Sequence, residues 1–206
     1  MVSRIINQSE YRGYLVNSSS TRPLIEDAIA RYIEQLEALK SHYSEIYVIR
    51  FDLAFPDNQE WTPEEETESI SGFFKKVRER LLSKKNGSIK KWVYGWAREH
   101  ETAKKGHFHC FIAFPYRKVR TPGVGTSEVR EGKMGLFDEL WKQINQGGRV
   151  HLVKAHRVKD EASLGRAIYH ISYLAKVRGK TYGKDAGHRN WDASRLTKKK
   201  QEINND

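Results

Sequence analysis

Nothing in this chain constrains its fold more than the run Gly106-His107-Phe108-His109-Cys110-Phe111-Ile112-Ala113-Phe114. Read as a β-strand, successive side chains point to opposite faces. Phe108, Cys110, Ile112 and Phe114 then share one face, which predicts a strand laid against a hydrophobic core. His107 and His109 fall together on the other face, aimed into the same volume. Paired imidazoles are poor core packing and good ligands for a divalent cation, so the pattern predicts half of a metal site. Cys110 is the only cysteine, so no internal disulfide can form, and its place on the core face makes it packing rather than chemistry.

The apolar periodicity on either side predicts the elements that frame this strand. Leu24, Ile25, Ile29, Ile33, Leu36 and Leu39 recur at helical spacing behind Pro23. From Ile46 to Phe55 the residues alternate, with Tyr47, Ile49, Phe51, Leu53 and Phe55 on one face and Arg50 and Asp52 on the other. Thr62-Pro63-Glu64-Glu65 is a capping box with proline at the first helical position. The helix it opens carries Ile70, Phe73, Phe74, Val77 and Leu81 and closes near Asn86-Gly87. An aromatic strand over 89–99 with Trp92, Tyr94 and Trp96, a helix over 136–144, a strand over 150–158 and a last helix over 161–177 complete the chain. Two strands joined directly must pair antiparallel. The fold class is therefore α+β, a central antiparallel β-sheet with helices on one face and the second face free for a site. Residues 1–45 read as an N-terminal helical extension, 46–178 as the main α+β domain and 179–206 as a basic C-terminal tail.

Charge points to a partner. The 206 residues carry 37 Lys+Arg against 26 Asp+Glu, a net +11, which favours a polyanion. Lys104 and Lys105 lead into the histidine strand, and Arg178, Lys180, Lys184, Arg189 and Arg195 follow the last helix; all are placed to meet phosphates. No apolar run reaches the length of a membrane helix, and the start lacks a secretory segment, so a cytoplasmic protein without a membrane partner is expected.

Two further segments complete a constellation. On an ideal helix Tyr169, Tyr173 and Lys176 lie in one narrow arc, while Leu164, Ile168, Ile171 and Ala175 form the buried stripe on the other side. Glu99 ends the strand before the histidines, and the hairpin brings its carboxylate to them; Glu101 and Asp52 are rivals for that role. One carboxylate and two imidazoles suit a divalent ion with positions left open for substrate oxygens. A structural zinc site, normally closed by four ligands including cysteine, does not fit.

His107-Phe108-His109 resembles the histidine–hydrophobe–histidine motif of the HUH endonucleases, and Tyr169-x-x-x-Tyr173-x-x-Lys176 resembles the two-tyrosine motif of their replication-initiator branch. The likeness runs over about residues 46–178 and is nearest to rolling-circle initiators of single-stranded DNA phages, including inovirus-type prophage proteins. Arg189-Asn190-Trp191-Asp192-Ala193-Ser194-Arg195 shares that look. The resemblance implies a ferredoxin/RRM-like endonuclease palm holding Mg²⁺ or Mn²⁺ on His107, His109 and Glu99. It implies nicking and joining of single-stranded DNA, or of a hairpin at a replication origin, through a 5′-phosphotyrosine. Tyr173 is the safer nucleophile because Lys176 follows it, whereas the residue three beyond Tyr169 is Ser172. Lys176 either favours the phenolate or steadies the phosphate. Tyr169 would cut the regenerated origin, so Tyr169→Phe would spare the first nick and impair termination. A host helicase and polymerase are implied partners, in a bacterial cell carrying the phage, prophage or plasmid. The alternatives are a relaxase or single-strand transposase with the same chemistry, and a non-catalytic regulator that stacks bases on Trp92, Tyr94 and Trp96.

Overall fold

A computed structural model describes residues 4–57, 60–83, 88–99, 106–123, 131–178 and 189–200. The elements are β1 (Ile5–Ile6), β2 (Glu10–Tyr11), β3 (Tyr14–Leu15), β4 (Leu24–Ile25), α1 (Glu26–His42), β5 (Ile46–Ala54) and α2 (Pro63–Leu82). There follow β6 (Val93–Glu99), β7 (His107–Pro115), α3 (Gly132–Asn145), β8 (Arg149–Val158), α4 (Glu161–Ile171), a 3₁₀ turn (Ser172–Ala175) and β9 (Trp191–Ala193). The main sheet has the order β8-β5-β7-β6-β9, with every pairing antiparallel. The stretch from β5 to β8 is thus a βαββαβ unit of ferredoxin-like connectivity. The capping box at Thr62 and Glu65 forms as the sequence predicts.

The sheet differs from expectation in being covered on both faces. Tyr47, Ile49, Phe51 and Leu53 pack with Phe73, Phe74, Phe137 and Trp141 under α2 and α3. Ile46 and Val48, on the other face, join Val93, Ala97, Phe111 and Ala113 against α1 and α4. A strand buried on both sides reads as a continuous apolar run, and Ile46-Tyr47-Val48-Ile49 is one. Only the far half of this second face, where the strands carry Asp52, Glu99, His107 and His109, is polar.

The boundaries expected at 45 and 178 do not separate cores, because Ile29 and Leu36 of α1 and Ala193 of β9 bury in one cluster with Val48. The helix predicted from Pro23 starts at Glu26, since Leu24 and Ile25 pair instead with Ile6 and Ile5. Gly95 lets α1 sit close: a Cβ there would run into the rings of Phe111 and Tyr32. Tyr32, fully buried, donates its hydroxyl hydrogen to the Trp96 carbonyl at 2.8 Å.

The last helix is shorter than its pattern predicts. The Ser172 hydroxyl donates to the Tyr169 carbonyl (2.7 Å) and accepts from the Asn17 amide (2.8 Å). Beyond the 3₁₀ turn, Lys176 bridges to Leu24 and the Val177 amide donates to the Pro23 carbonyl at 3.0 Å. The N-terminal segment therefore takes the chain out of the helix at the residues that carry Tyr173. Among the described residues no helix is long and apolar enough to cross a membrane.

Candidate metal and tyrosine site

Register builds the cluster. His107 lies opposite Glu99 on β6, and His109 lies opposite Asp52 on β5, so each imidazole has a carboxylate as its cross-strand neighbour. Ligand atoms of Glu99, His107 and His109 all fall within 4.8 Å of one another. His109 Nε2 is 2.7 Å from Glu99 Oε2 and 3.2 Å from His107 Nε2. His109 and Glu99 are buried, while His107 is partly open.

The rivals for the acidic ligand separate. Asp52 Oδ1 lies 2.7 Å from His109 Nδ1, on the side of the ring away from the cluster. A carboxylate there fixes the Nδ1–H tautomer and aims Nε2 inward, the usual outer partner of a metal-binding histidine. Glu101 lies outside the described residues, as do Lys104, Lys105, Lys180, Lys184 and Asn86-Gly87. Burial alone would push the His109 imidazolium to lose its proton. Hydrogen bonds to Asp52 and Glu99, with their charges, outweigh burial and hold its pKa above the ordinary histidine value. The same donors suit a divalent ion, which would take the place of the proton on Nε2. Asp52→Asn is expected to weaken Mn²⁺ binding by about tenfold or more, measured by titration calorimetry. Unchanged affinity would remove Asp52 from the site.

Tyr173 reaches this cluster. Its ring meets that of His109 edge-on, with centroids 5.0 Å apart at 89°. Lys176 Nζ lies 3.6 Å from the Tyr173 ring centroid and the Arg50 guanidinium carbon 4.4 Å from it, so two cations share one phenol ring. A cleft of about 340 Å³ opens beside them, lined by Arg22, Glu99, Tyr173, Lys176 and Arg178 among others. Burial, then repulsion from Arg22, Arg50 and Arg178, lowers the pKa of the Lys176 ammonium, against an opposing pull from Glu99.

Tyr169 is not gathered in. It is 42% exposed and lines a separate groove with Tyr14, Leu15 and Gly165, and no recorded contact joins it to His107, His109 or Glu99. A 3₁₀ turn advances about 120° per residue rather than 100°, so entering it after Ile171 swings Tyr173 out of the arc that Tyr169 occupies. Arg178 lies at the cleft, whereas Arg189 and Arg195 pair with Asp192 at 3.0 and 3.6 Å, at the β9 edge. Sequence reasoning missed Arg50. It shares a strand face with Asp52, which was the available signal, but its approach to Tyr173 depends on the 3₁₀ turn.

The YagK/YfjJ C-terminal domain family model matches residues 8–191. The chain belongs to this family. The match spans β2 through Trp191 and so takes in the histidines, Glu99, Arg50 and Tyr173 together. No curated protein and no solved structure matches the chain. For this YagK/YfjJ domain, function therefore has to be argued from the site itself.

Proposed function

We propose that this protein cleaves and rejoins single-stranded DNA by transesterification onto Tyr173, with a divalent ion on Glu99, His107 and His109, as an initiator of rolling-circle replication. The observation that carries the reading is the contact of the Tyr173 ring with His109, inside a cluster of three convergent ligands and beside two cations. Held there, Mg²⁺ or Mn²⁺ would draw electron density from the scissile phosphate and offset charge in the transition state. The Tyr173 phenol oxygen bonds to phosphorus, and its proton passes to water. The bond from phosphorus to the 3′ oxygen breaks, and that oxygen leaves as a hydroxyl after taking up a proton. Arg50, whose Nε is buried without a hydrogen-bond partner, and Lys176 are placed to steady the phosphate oxygens and the developing phenolate. The reverse attack by a 3′-hydroxyl reseals DNA without ATP. This reading carries with it a bacterial cytoplasm, a phage, prophage or plasmid replicon, and the host helicase and polymerase.

One observation favours a second reading. With Tyr169 in a separate groove, Tyr173 is the one tyrosine lining the cleft at the cluster among the described residues, an arrangement that suits a relaxase or single-strand transposase of the same chemistry. Single-stranded fragments tiling the DNA that flanks the coding sequence, labelled and incubated with Mn²⁺, are expected to give a protein-linked band on a denaturing gel. EDTA and His109→Ala should each abolish it. No adduct from any fragment, with Mn²⁺ bound, would end both readings.

A further inference from the structure

β6 presents different chemistry on its two faces. Glu99 points to the metal cluster, while Tyr94 and Trp96 line a cleft of about 430 Å³ under α2, on the opposite side of the sheet. Lys75 and Arg78, exposed and three residues apart on α2, stand on one wall; Arg189 and Asp192 stand on the other. We infer that this cleft between α2 and the β6–β9 edge binds one nucleotide of a single-stranded nucleic acid.

Size, shape and charge agree. The volume is that of a small-ligand site, within the usual ~300–1,000 Å³. The Tyr94 ring stacks flat on Phe74, with centroids 4.0 Å apart and planes at 16°, and so offers a rigid aromatic wall for a base. No ion pair engages Lys75 or Arg78 among the described residues, and Arg78 lies 5.9 Å over the Trp92 ring. Those cations meet a phosphate without first breaking a bond to an acid. Asp192 already faces Arg189 and Arg195 and leaves the cleft cationic. An acidic peptide would meet the same charges but would have no use for a flat aromatic wall.

The cleft is also held in shape. Beneath it, buried Arg98 donates to the Pro63 carbonyl (3.3 Å), Glu66 Oε2 (3.4 Å) and Asn190 Oδ1 (3.2 Å). It thus ties the start of α2 to the segment that carries Arg189 and Asp192. Because Arg98 and Glu99 are neighbours on one strand, a nucleic-acid chain at the metal cluster needs only to round the β9 edge to enter the cleft.

The inference rests on the nucleic-acid reading above but not on cleavage, so it is tested by equilibrium binding in EDTA. The probe is fluorescein-labelled oligo(dT) of roughly 15 nucleotides, near the upper site size of one binding fold. The double variant Lys75→Glu/Arg78→Glu is expected to bind at least about tenfold more weakly, with the salt slope smaller by about two. Tyr94→Ala is expected to cost roughly tenfold with the slope unchanged. Lys76→Glu, a single charge reversal and so half the charge change of the double variant, one residue along α2 from Lys75 and outside the cleft, should leave affinity nearly as it was. Equal losses for Lys76→Glu and the double variant would overturn the inference, as would wild-type binding by the double variant. So would a free mononucleotide that competes as well as the strand, or a polyglutamate peptide that displaces it. Lys75 and Arg78 lie outside the core, so the double variant tests the cleft even if Tyr94→Ala fails to fold. A protein that forms no DNA adduct and still shows this pattern keeps the inference. One that nicks DNA while its double variant binds normally loses it.

Discussion

Arg98→Met is expected to lower the unfolding free energy by about 3–5 kcal/mol, a fall of roughly 10 °C in melting temperature for a chain of this length. Arg98 and Glu66 are a buried ion pair, their side chains 3% and 2% exposed, with the closest atoms 3.4 Å apart. Removing one member of such a pair leaves the other charge in a low-dielectric interior without that partner, and this desolvation term dominates the loss. The guanidinium also holds Pro63 and Asn190, so α2 and the β9 edge lose a shared anchor in the same substitution. The pair is not ideal, because the Arg98 Nε is buried with no hydrogen-bond partner. The double variant Arg98→Met/Glu66→Leu is therefore expected to regain more than half of the loss, since two apolar groups of similar size remove both buried charges together. Thermal and urea unfolding of the three proteins check this. A loss under about 1 kcal/mol for Arg98→Met would put the pair in the class of solvent-screened surface bridges.

How much of this was legible beforehand depended on whether the cause lay within a short stretch of chain. The face of β7 could be read because alternation is local: Phe108, Cys110, Ile112 and Phe114 bury and His107 turns away, as the pattern dictates. The capping box at Thr62 is local in the same sense. The second core was hidden because Val48 and Ile46 are apolar on the face that Arg50 and Asp52 make polar, and no single period describes a strand face that is apolar at one end and charged at the other. Glu99 was found through the hairpin, a short-range relation, whereas the position of Asp52 behind His109 needed the register of β5 against β7. β9 is only Trp191–Ala193 and lies far from β6 in sequence, so no periodic signal announces it. Tyr169 was misplaced for the same kind of reason. The amide that engages Ser172 belongs to Asn17, 155 residues away, and nothing near position 172 in the sequence marks the end of the helix.

That ending sets the expected behaviour of the two tyrosines. Tyr173→Phe is expected to cut the DNA-linked protein by at least about a thousandfold, since phenylalanine keeps the ring against His109 and removes only the oxygen proposed to attack the phosphate. Tyr169→Phe should leave the first cleavage at the wild-type level, because its phenol lies in the groove beside Tyr14 and Leu15. The termination step separates two mechanisms. If Tyr173 acts alone, the 3′-hydroxyl that attacks the phosphotyrosine is freed by a second cut at the regenerated origin, made by Tyr173 of another copy of the protein, and Tyr169→Phe gives full yields of rejoined circles. If Tyr169 is recruited, the same variant nicks normally and accumulates unterminated product. That outcome would require the 3₁₀ turn to rewind, which means breaking the Ser172 contact to the Asn17 amide and the Val177 contact to the Pro23 carbonyl. Ser172→Ala removes the first of those restraints. In the recruited case it is expected to raise the termination yield of the protein that retains both tyrosines, and in the single-nucleophile case it should change nothing but stability. The geometry favours the single nucleophile, because Arg50 and Lys176 both lie on the Tyr173 ring and Tyr169 has neither.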